Sequence, residues 1–116
     1  MDERLERGAT AERDAAQLLV AAGYEIVERN FRCKVGELDI VARDGDVLVF
    51  VEVRCRSDGD HGDAIEMIRR SKQRRVTRVA RYYLAAAAPA FERCRFDIVA
   101  ITAGEPILLK DAFRVS

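Results

Sequence analysis

The stretch VGELDIVARDGDVLVFVEVRC, residues 35–55, decides the fold because it contains two strands joined by a tight turn. Its halves, Val35–Ala42 and Val47–Cys55, are rich in the β-branched and aromatic residues that favour strands. An Asp-Gly pair between two such runs is a strong hairpin signal. A two-residue turn at Asp44-Gly45 then sets the predicted register of the hairpin, with Asp39 opposite Phe50.

Two carboxylates interrupt this apolar hairpin. Because side chains alternate between the faces of a strand, the predicted register makes Asp39 and Glu52 diagonal neighbours on one face, roughly 7–8 Å apart. Glu52 follows Val47–Val51, which is apolar on both faces, and burying an unpaired carboxylate there is costly. A metal ion, solvent or a salt bridge to Arg54 or Arg29 has to offset that cost.

The rest of the chain is predicted to add two helices and further strands. Good helix formers and Gly or Pro stops indicate the helices, whereas β-branched runs indicate the strands. The predicted elements are a helix over Arg4–Ala22 ended by Gly23, a strand over Tyr24–Phe31, a helix over Ala64–Ala88 with Asp63 as N-cap and Pro89 as stop, a strand over Arg95–Ile101 and a short edge strand over Ile107–Lys110.

These elements predict a single α/β domain over residues 1–116, with a mixed central sheet and flanking helices. The first three strands are expected to form an antiparallel meander, and the second helix to lead into a strand parallel to the third. The order is αβββαβ, with or without the short final strand. The pattern leaves open whether the helices cover one face of the sheet or both.

Each predicted helix carries a charged residue on its apolar stripe. Glu12 lies within the stripe formed by Leu5, Gly8, Ala15, Leu19 and Ala22. Lys72 takes a position on the second helix that the same spacing would give to an apolar residue. Glu12 either faces inward or lies at the margin, and Lys72 either extends its ammonium to solvent or directs it toward Asp39 and Glu52. Four inward-facing charges near one sheet edge indicate a functional site.

Composition points to a globular protein of the cytoplasm. The 116 residues are 49% hydrophobic and 34% charged with a formal net charge of zero. No apolar run approaches the roughly 18 residues of a membrane span, and residues 1–4 lack the pattern of a secretion signal. The cysteines Cys33, Cys55 and Cys94 form no C-x-x-C pair, so free thiols are expected rather than a zinc site or disulfides.

Residues 67–91 contain no acidic residue and carry a basic ridge. We define the basic ridge as Arg69, Arg70, Arg74, Arg75 and Arg78. Such a cluster on a neutral protein fits either a footprint for an anionic polymer or an ordinary solvated helix face. Two acidic features are expected to have plainer roles: Asp97 to neutralise a basic neighbour, and the loop Asp58–Asp63 to be mobile near the site.

The ordered motifs resemble a known family. Gly36–Ala42 followed by Val51-Glu52-Val53-Arg54 resembles the PD-(D/E)xK nuclease signature. More narrowly, the chain resembles the YraN family of endonuclease-like proteins. The residues that carry this resemblance span most of the chain: Gly8, Ala11-Glu12, Gly23-Tyr24, Arg29–Arg32, Gly36–Ala42, Phe50–Arg54, Lys72, Tyr83-Leu84 and Arg95–Asp97.

The resemblance implies a restriction-endonuclease-like fold and hydrolysis of DNA phosphodiester bonds. It implies Asp39 and Glu52 as ligands of Mg²⁺ or Mn²⁺, and Glu12 as the additional acid of the related Holliday-junction resolvases. The superfamily usually has Lys where this chain has Arg54, and Arg stays protonated, so it cannot be a general base. Lys72 would then contribute the missing ammonium, giving a catalytic set of Glu12, Asp39, Glu52, Arg54 and Lys72.

Three functions remain open from the sequence. The first is a metal-dependent nuclease acting on DNA, as a homodimer if two strands are to be cut. The second is a non-catalytic nucleic-acid-binding module that keeps the nuclease fold and binds through the basic ridge. The third is an interaction protein in which the buried charges are simply paired.

Overall fold

The computed structural model describes residues 3–56 and 69–114, including the side chains of residues 10–55 and 69–114. These ranges form two helices and a five-stranded mixed sheet. The elements are α1 (Glu3–Ala21), β1 (Glu25–Cys33), β2 (Gly36–Asp44), β3 (Val47–Arg56), α2 (Arg70–Ala87), β4 (Arg93–Thr102) and β5 (Glu105–Phe113). The predicted α/β class is confirmed, and the predicted short final strand is a full strand of 9 residues.

The strands lie in the sheet in chain order, β1-β2-β3-β4-β5. The pairs β1–β2, β2–β3 and β4–β5 are antiparallel, whereas β3 and β4 are parallel. The predicted meander and the crossover through α2 are therefore both confirmed. Since β3 has a partner on each side, any charged side chain midway along it lies away from the sheet edges.

The two helices cover opposite faces of the sheet, which the sequence pattern had left open. Apolar positions of each helix pack on alternate residues of the central strands. On one face, α2 contributes Val76, Val79 and Tyr83 to a core with Leu48, Phe50 and Ile98. On the other face, α1 contributes Ala11, Ala15 and Leu19 to a core with Ile40, Val49 and Val99.

The β2–β3 hairpin turns one residue later than predicted. Asp44 pairs with Val47, so the turn residues are Gly45 and Asp46 rather than Asp44 and Gly45. Gly45 has a φ of 62°, a conformation that glycine adopts without strain. The pairing moves by two positions in total, and because side chains alternate with a period of two, Val41, Leu48 and Phe50 still share a face as predicted.

The helix ends differ in how well they follow the prediction. Gly23, with a φ of 93°, ends α1, and its N–H and that of Tyr24 donate to the carbonyls of Val20 and Leu19 at 3.0 and 2.9 Å. The predicted continuous helix over Ala64–Ala88 is interrupted at Arg69, whose backbone is extended, and α2 begins at Arg70. Residues 64–68 lie outside the described part of the chain. Asp63 itself, with Ile65, Ile68 and the Asp58–Asp63 loop, lies outside the described residues.

A network of polar groups centred on the buried Asp97 joins Tyr24, just before β1, to β2, β4 and β5. Asp97 is fully buried and accepts hydrogen bonds from the Tyr24 hydroxyl at 2.7 Å and from Arg95 Nε at 2.8 Å. Its Oδ1 also accepts the backbone N–H of Asp111 at 2.9 Å. Arg95 in turn donates to Asp44 at 2.8 Å. The predicted neutralisation of Asp97 by a basic neighbour is confirmed.

Both edge strands are irregular. Pairing of β1 with β2 shifts between Ile26 and Glu28, and Asn30 in β1 has a φ of 56°. Pairing of β4 with β5 shifts between Phe96 and Ile98, opposite a segment of β5 in which Asp111 has a φ of 53°. The backbone N–H of Asp111 that binds Asp97 is therefore presented by this irregularity.

The three cysteines carry free thiols, as predicted. Neither of the helices in the described ranges is long and apolar enough to cross a membrane.

Candidate functional site

β2 changes the face it presents at Asp39. Leu38 packs in the core beneath α2, whereas Ile40 packs in the core beneath α1. On a regular strand two residues at this spacing would share a face, so the backbone must turn at Asp39. The positive φ of Asn30 occurs at the facing point of β1, between the pairs Arg29↔Ile40 and Phe31↔Leu38.

This turn directs the Asp39 side chain toward β3. Regular pairing between β2 and β3 ends at Ile40↔Val51, and one further step would place Asp39 opposite Glu52. Instead of a backbone carbonyl of β2, the Oδ2 atom of Asp39 accepts the N–H of Val53 at 2.9 Å. The Asp39 carboxylate thus completes the end of the hairpin and is fixed beside Glu52.

Glu52 is almost fully buried, with 3% of its surface exposed. By alternation from Leu48 and Phe50, its side chain lies on the face covered by α2. Its carboxyl group makes a hydrogen bond with that of Asp39. The two carboxylates predicted from the hairpin are therefore in direct contact.

The surroundings of Glu52 disfavour its charged form. Burial raises the pKa of Glu52 to about 8, and the negative charge of Asp39 and the hydrogen bond between the two carboxyls act in the same direction. The positive charges of Lys72 and Arg54 oppose this rise in pKa. A hydrogen bond between two carboxyl groups requires a proton on one of them, and the raised pKa assigns that proton to Glu52.

Two basic side chains complete the site. The Nη2 atom of Arg54 lies 3.6 Å from Oε2 of Glu52. The Nε of Arg54 is buried and makes no hydrogen bond within the described part of the chain. Lys72 lies in the first turn of α2, half-buried, and is close enough to Glu52 to act on its pKa. The hypothesis that Lys72 directs its ammonium toward the carboxylates is the one that this position favours.

Glu12 of α1 contacts β1 through an ion pair with Arg29, the residue that pairs with Ile40. Its Oε1 accepts a hydrogen bond from Nε of Arg29 at 3.3 Å, and its side chain is 15% exposed. It lies at the margin of the α1 stripe, and α1 covers the face of the sheet opposite to α2. Among the residues with described side chains, no three of the types His, Cys, Asp and Glu form a group that could hold a metal ion. Any cation between Asp39 and Glu52 would have two carboxylate ligands from the described chain.

Asp97 shows why burial alone does not identify a site. Like Glu52, it is a buried acid in an apolar strand. Tyr24, Arg95 and the Asp111 N–H satisfy its oxygens, whereas Glu52 meets a second carboxyl group. No role in this network was predicted for Tyr24. The position of Arg95 two residues before Asp97 on one strand is the signal that would have identified the ion pair.

The basic ridge faces away from the protein. All five of its residues are exposed, while Val76, Val79 and Tyr83 on the other side of α2 are buried. Lys72 connects the basic ridge with the carboxylate pair, because it belongs to the same helix as the ridge and approaches the two carboxylates. The structure thus places a strip of positive charge on the helix that borders the site.

Comparison with known sequences identifies the family. The profile of the uncharacterised protein family UPF0102 matches residues 11–101, which include Glu12, Asp39, Glu52, Arg54 and Lys72. The chain belongs to family UPF0102. The resemblance to the YraN family found in the sequence is thereby confirmed at the level of the family.

Similar UPF0102 proteins occur in several bacteria. The UPF0102 protein of Lachnoclostridium phytofermentans is 46% identical over 114 residues, covering 97% of this chain and 96% of its own. That of Moorella thermoacetica is 47% identical over 98 residues, covering 84% and 82%. The UPF0102 similarity therefore extends over the sheet, both helices and the carboxylate pair, and not over one motif alone.

Proposed function

We propose that this UPF0102 protein is a metal-dependent nuclease that hydrolyses DNA phosphodiester bonds at the Asp39–Glu52 pair. The observation that carries the proposal is the hydrogen-bonded contact between these two carboxyl groups, one of them buried, next to Lys72 and Arg54. A buried acid in contact with a second carboxylate destabilises a fold unless a proton or a cation lies between them. Such a pair beside two basic side chains suits a catalytic centre better than a structural one.

The chemistry of the donor atoms fits Mg²⁺ or Mn²⁺. These hard cations prefer oxygen ligands, and Mg²⁺ is commonly held by one or two carboxylates together with water and substrate phosphate oxygens. Asp39 and Glu52 would hold the ion in place of the proton that their hydrogen bond requires. When bound, the ion would polarise the scissile phosphate and make a coordinated water more acidic.

Lys72 and Arg54 would act on the phosphate. Hydrolysis forms a bond between the water oxygen and phosphorus and breaks the bond from phosphorus to the leaving deoxyribose oxygen. One proton of the water ends on that leaving oxygen. Negative charge grows on the phosphate oxygens along this path, and fixed positive groups stabilise it. The Nε of Arg54, which makes no hydrogen bond within the described residues, is a donor for such an oxygen, and its guanidinium stays protonated throughout.

The basic ridge would hold the polymer. Its exposed arginines repeat along α2, and salt-dependent contacts of this kind position a backbone without reading its sequence. A restriction-endonuclease-like fold agrees with the αβββαββ order and with the parallel β3–β4 pair.

A non-catalytic DNA-binding module is the second candidate. It is favoured by Arg54 in the place of the usual Lys and by the lack, among the described residues, of a third acid grouped with Asp39 and Glu52. It predicts binding through the same ridge without cleavage in any divalent metal.

A cleavage assay decides between the two. Labelled linear, single-stranded, flap and four-way-junction DNA is incubated with Mg²⁺ or Mn²⁺, using the wild type, Asp39→Ala and Glu37→Ala. Glu37 is the matched control because it is an exposed acid near the start of β2, paired with Arg32. Cleavage by the wild type and Glu37→Ala, but not by Asp39→Ala, supports the nuclease. Binding without cleavage by any protein contradicts it.

A further inference from the structure

An exposed aromatic ring lies in line with the arginines of the basic ridge. Arg75, Arg78 and Tyr82 are spaced by three and four residues, so their side chains project from one face of α2. Tyr82 is a large residue and 39% of its surface is exposed, whereas its neighbour Tyr83 is buried in the core. Alternating charge and aromatic surface is the composition of a platform for nucleic-acid bases.

The Tyr82 ring has a support behind it. Phe31 of β1 lies with its ring centroid 6.3 Å from that of Tyr82, at an interplanar angle of 44°. Phe31 is itself held edge-on against Tyr83, with centroids 5.1 Å apart at 84°. Tyr82 is therefore backed by aromatic rings anchored in the core, which limits the entropy that stacking a base on it would cost.

The position of the Tyr82 ring relative to the carboxylate pair follows from β1 and from α2. Along β1, Phe31 pairs with Leu38, the residue directly before Asp39. Along α2, Lys72 lies about 15 Å from Tyr82 at the rise of a helix. Between Lys72 and Tyr82, the tip of the β1–β2 hairpin packs closely against α2. A Cβ built on Gly36 would lie 2.9 Å from Cγ2 of Val79 and 3.9 Å from Cγ of Arg75. The distance between Tyr82 and Lys72 corresponds to the length of a few nucleotides.

We infer that the protein takes single-stranded nucleic acid, or the unpaired part of a branched one, with a base stacked on Tyr82. A duplex offers the same phosphates to the arginines but keeps its base faces occupied by stacking within the helix. A single strand offers both phosphates and free base faces, so only it gains from the ring. The inference rests on the proposed function for the polymer and adds which form of it is bound.

Binding without cleavage tests this inference. Fluorescence anisotropy in EDTA compares labelled oligothymidylate, an abasic strand of equal length and a duplex of equal length. The proteins are the wild type, Tyr82→Ala, Tyr82→Phe and Arg78→Ala, all checked for folding by circular dichroism. Tyr82→Phe keeps the aromatic face, whereas Arg78→Ala removes a charge from the same face of α2.

Loss of one stacked base weakens binding by about ten-fold or more. We expect this loss for Tyr82→Ala on oligothymidylate, with the duplex and the abasic strand bound within about two-fold of wild type. Tyr82→Phe should bind like the wild type, and Arg78→Ala should weaken all three ligands alike. Equal losses of all ligands in Tyr82→Ala, or no loss at all, would overturn the inference and leave the nuclease proposal standing. Failure of the wild type to bind any of the three polymers would overturn both.

Discussion

Asp39 and Glu52 make a hydrogen bond between their carboxyl groups at the point where regular pairing of β2 with β3 has just ended. The contact depends on the backbone turn at Asp39, which moves its side chain into the line of the sheet and lets it accept the Val53 N–H. In a regular hairpin the Asp39 side chain would lie on one face of the sheet and would not accept the Val53 N–H. The irregular strand is thus the structural origin of the candidate site.

The raised pKa of Glu52 predicts a pH-dependent stability. Its pKa rises from 4.5 to about 8 on folding, chiefly through burial. As the pH increases between these values, the unfolded chain releases a proton that the folded chain keeps, so the free energy of unfolding falls. We expect Glu52→Gln, which cannot ionise, to gain on the order of 3 kcal/mol relative to wild type across this range.

Urea unfolding in EDTA, followed at several pH values, measures the difference. Glu37→Gln is the control, since Glu37 is exposed and its removal should leave the pH dependence of the wild type unchanged. A constant difference between Glu52→Gln and wild type over the whole range would contradict the prediction.

Lys72 is expected to contribute to turnover rather than to stability. Removing one positive group from a site where phosphate charge develops commonly lowers the rate by about 10²-fold. We expect Lys72→Ala to lower kcat to this extent with a much smaller change in KM, measured by steady-state cleavage of single-stranded DNA with Mn²⁺.

Lys110→Ala is the matched variant for this test. Lys110 is also a half-exposed lysine, but it lies 3.6 Å from Asp44 in the polar network away from the carboxylate pair. Equal kcat values for Lys72→Ala and wild type would exclude Lys72 from the reaction.

Gly36 is predicted to tolerate no side chain. Its φ of 147° is unfavourable for other residues, and an added Cβ would lie 2.9 Å from Cγ2 of Val79. We expect Gly36→Ala to lower the free energy of unfolding by about 2–4 kcal/mol, combining backbone strain with overpacking.

Gly104→Ala separates these two causes. Gly104 also has a positive φ, at 80°, but an added Cβ there would contact nothing within 4 Å. Its cost should be only about 1 kcal/mol. Equal midpoints of urea unfolding for the two variants would show that the contact with Val79 does not matter.

The Asp97 network is predicted to stabilise the fold and not to act in catalysis. Asp97→Ala would take from the half-buried Arg95 guanidinium and the Tyr24 hydroxyl their buried partner, at a cost of about 3 kcal/mol. Asp44→Ala removes the more exposed acid bound to the same Arg95 and should cost about 1 kcal/mol. Thermal and urea unfolding measure both. A mild effect of Asp97→Ala, similar to that of Asp44→Ala, would contradict this assignment.

The basic ridge predicts a salt-dependent affinity. Each phosphate contact contributes about 0.7 to the slope of log K against log salt for a single strand. Replacing both Arg70 and Arg74 by Ala should therefore lower the slope by about 1.4 without changing the preference among sequences. Anisotropy titrations in increasing KCl give the slope. An unchanged slope would mean that the ridge is only a solvated helix face.

Much of the fold followed from local pattern. The turn at Gly45, the Gly23 stop and the β-branched runs each determine structure within a few residues, and the meander and crossover followed from them. Glu52 and Lys72 were recognisable as candidate site residues because each is a charged residue at a position where the regular pattern predicts an apolar one. Such a substitution is visible in one sequence without any knowledge of packing.

The remaining differences depend on features that pattern does not encode. The start of α2 is set by the extended backbone of Arg69, although the apolar spacing continues upstream. The place of Glu12 depends on which face α1 covers and on its ion pair with Arg29, both long-range properties. The contact of Asp39 with Glu52 needed the turn opposite Asn30, and no composition rule predicts a change of face within a strand.

The irregular edge strands have a consequence for association. An open sheet exposes unpaired backbone groups on β1 and β5, which invite strand addition and aggregation by other molecules. Asn30 and Asp111 each break the extended conformation there with a positive φ, next to shifts in pairing. A foreign strand would therefore find only short regular segments with which to pair. The same departures from regularity that position Asp39 and hold Asp97 also protect the sheet against growth at either end.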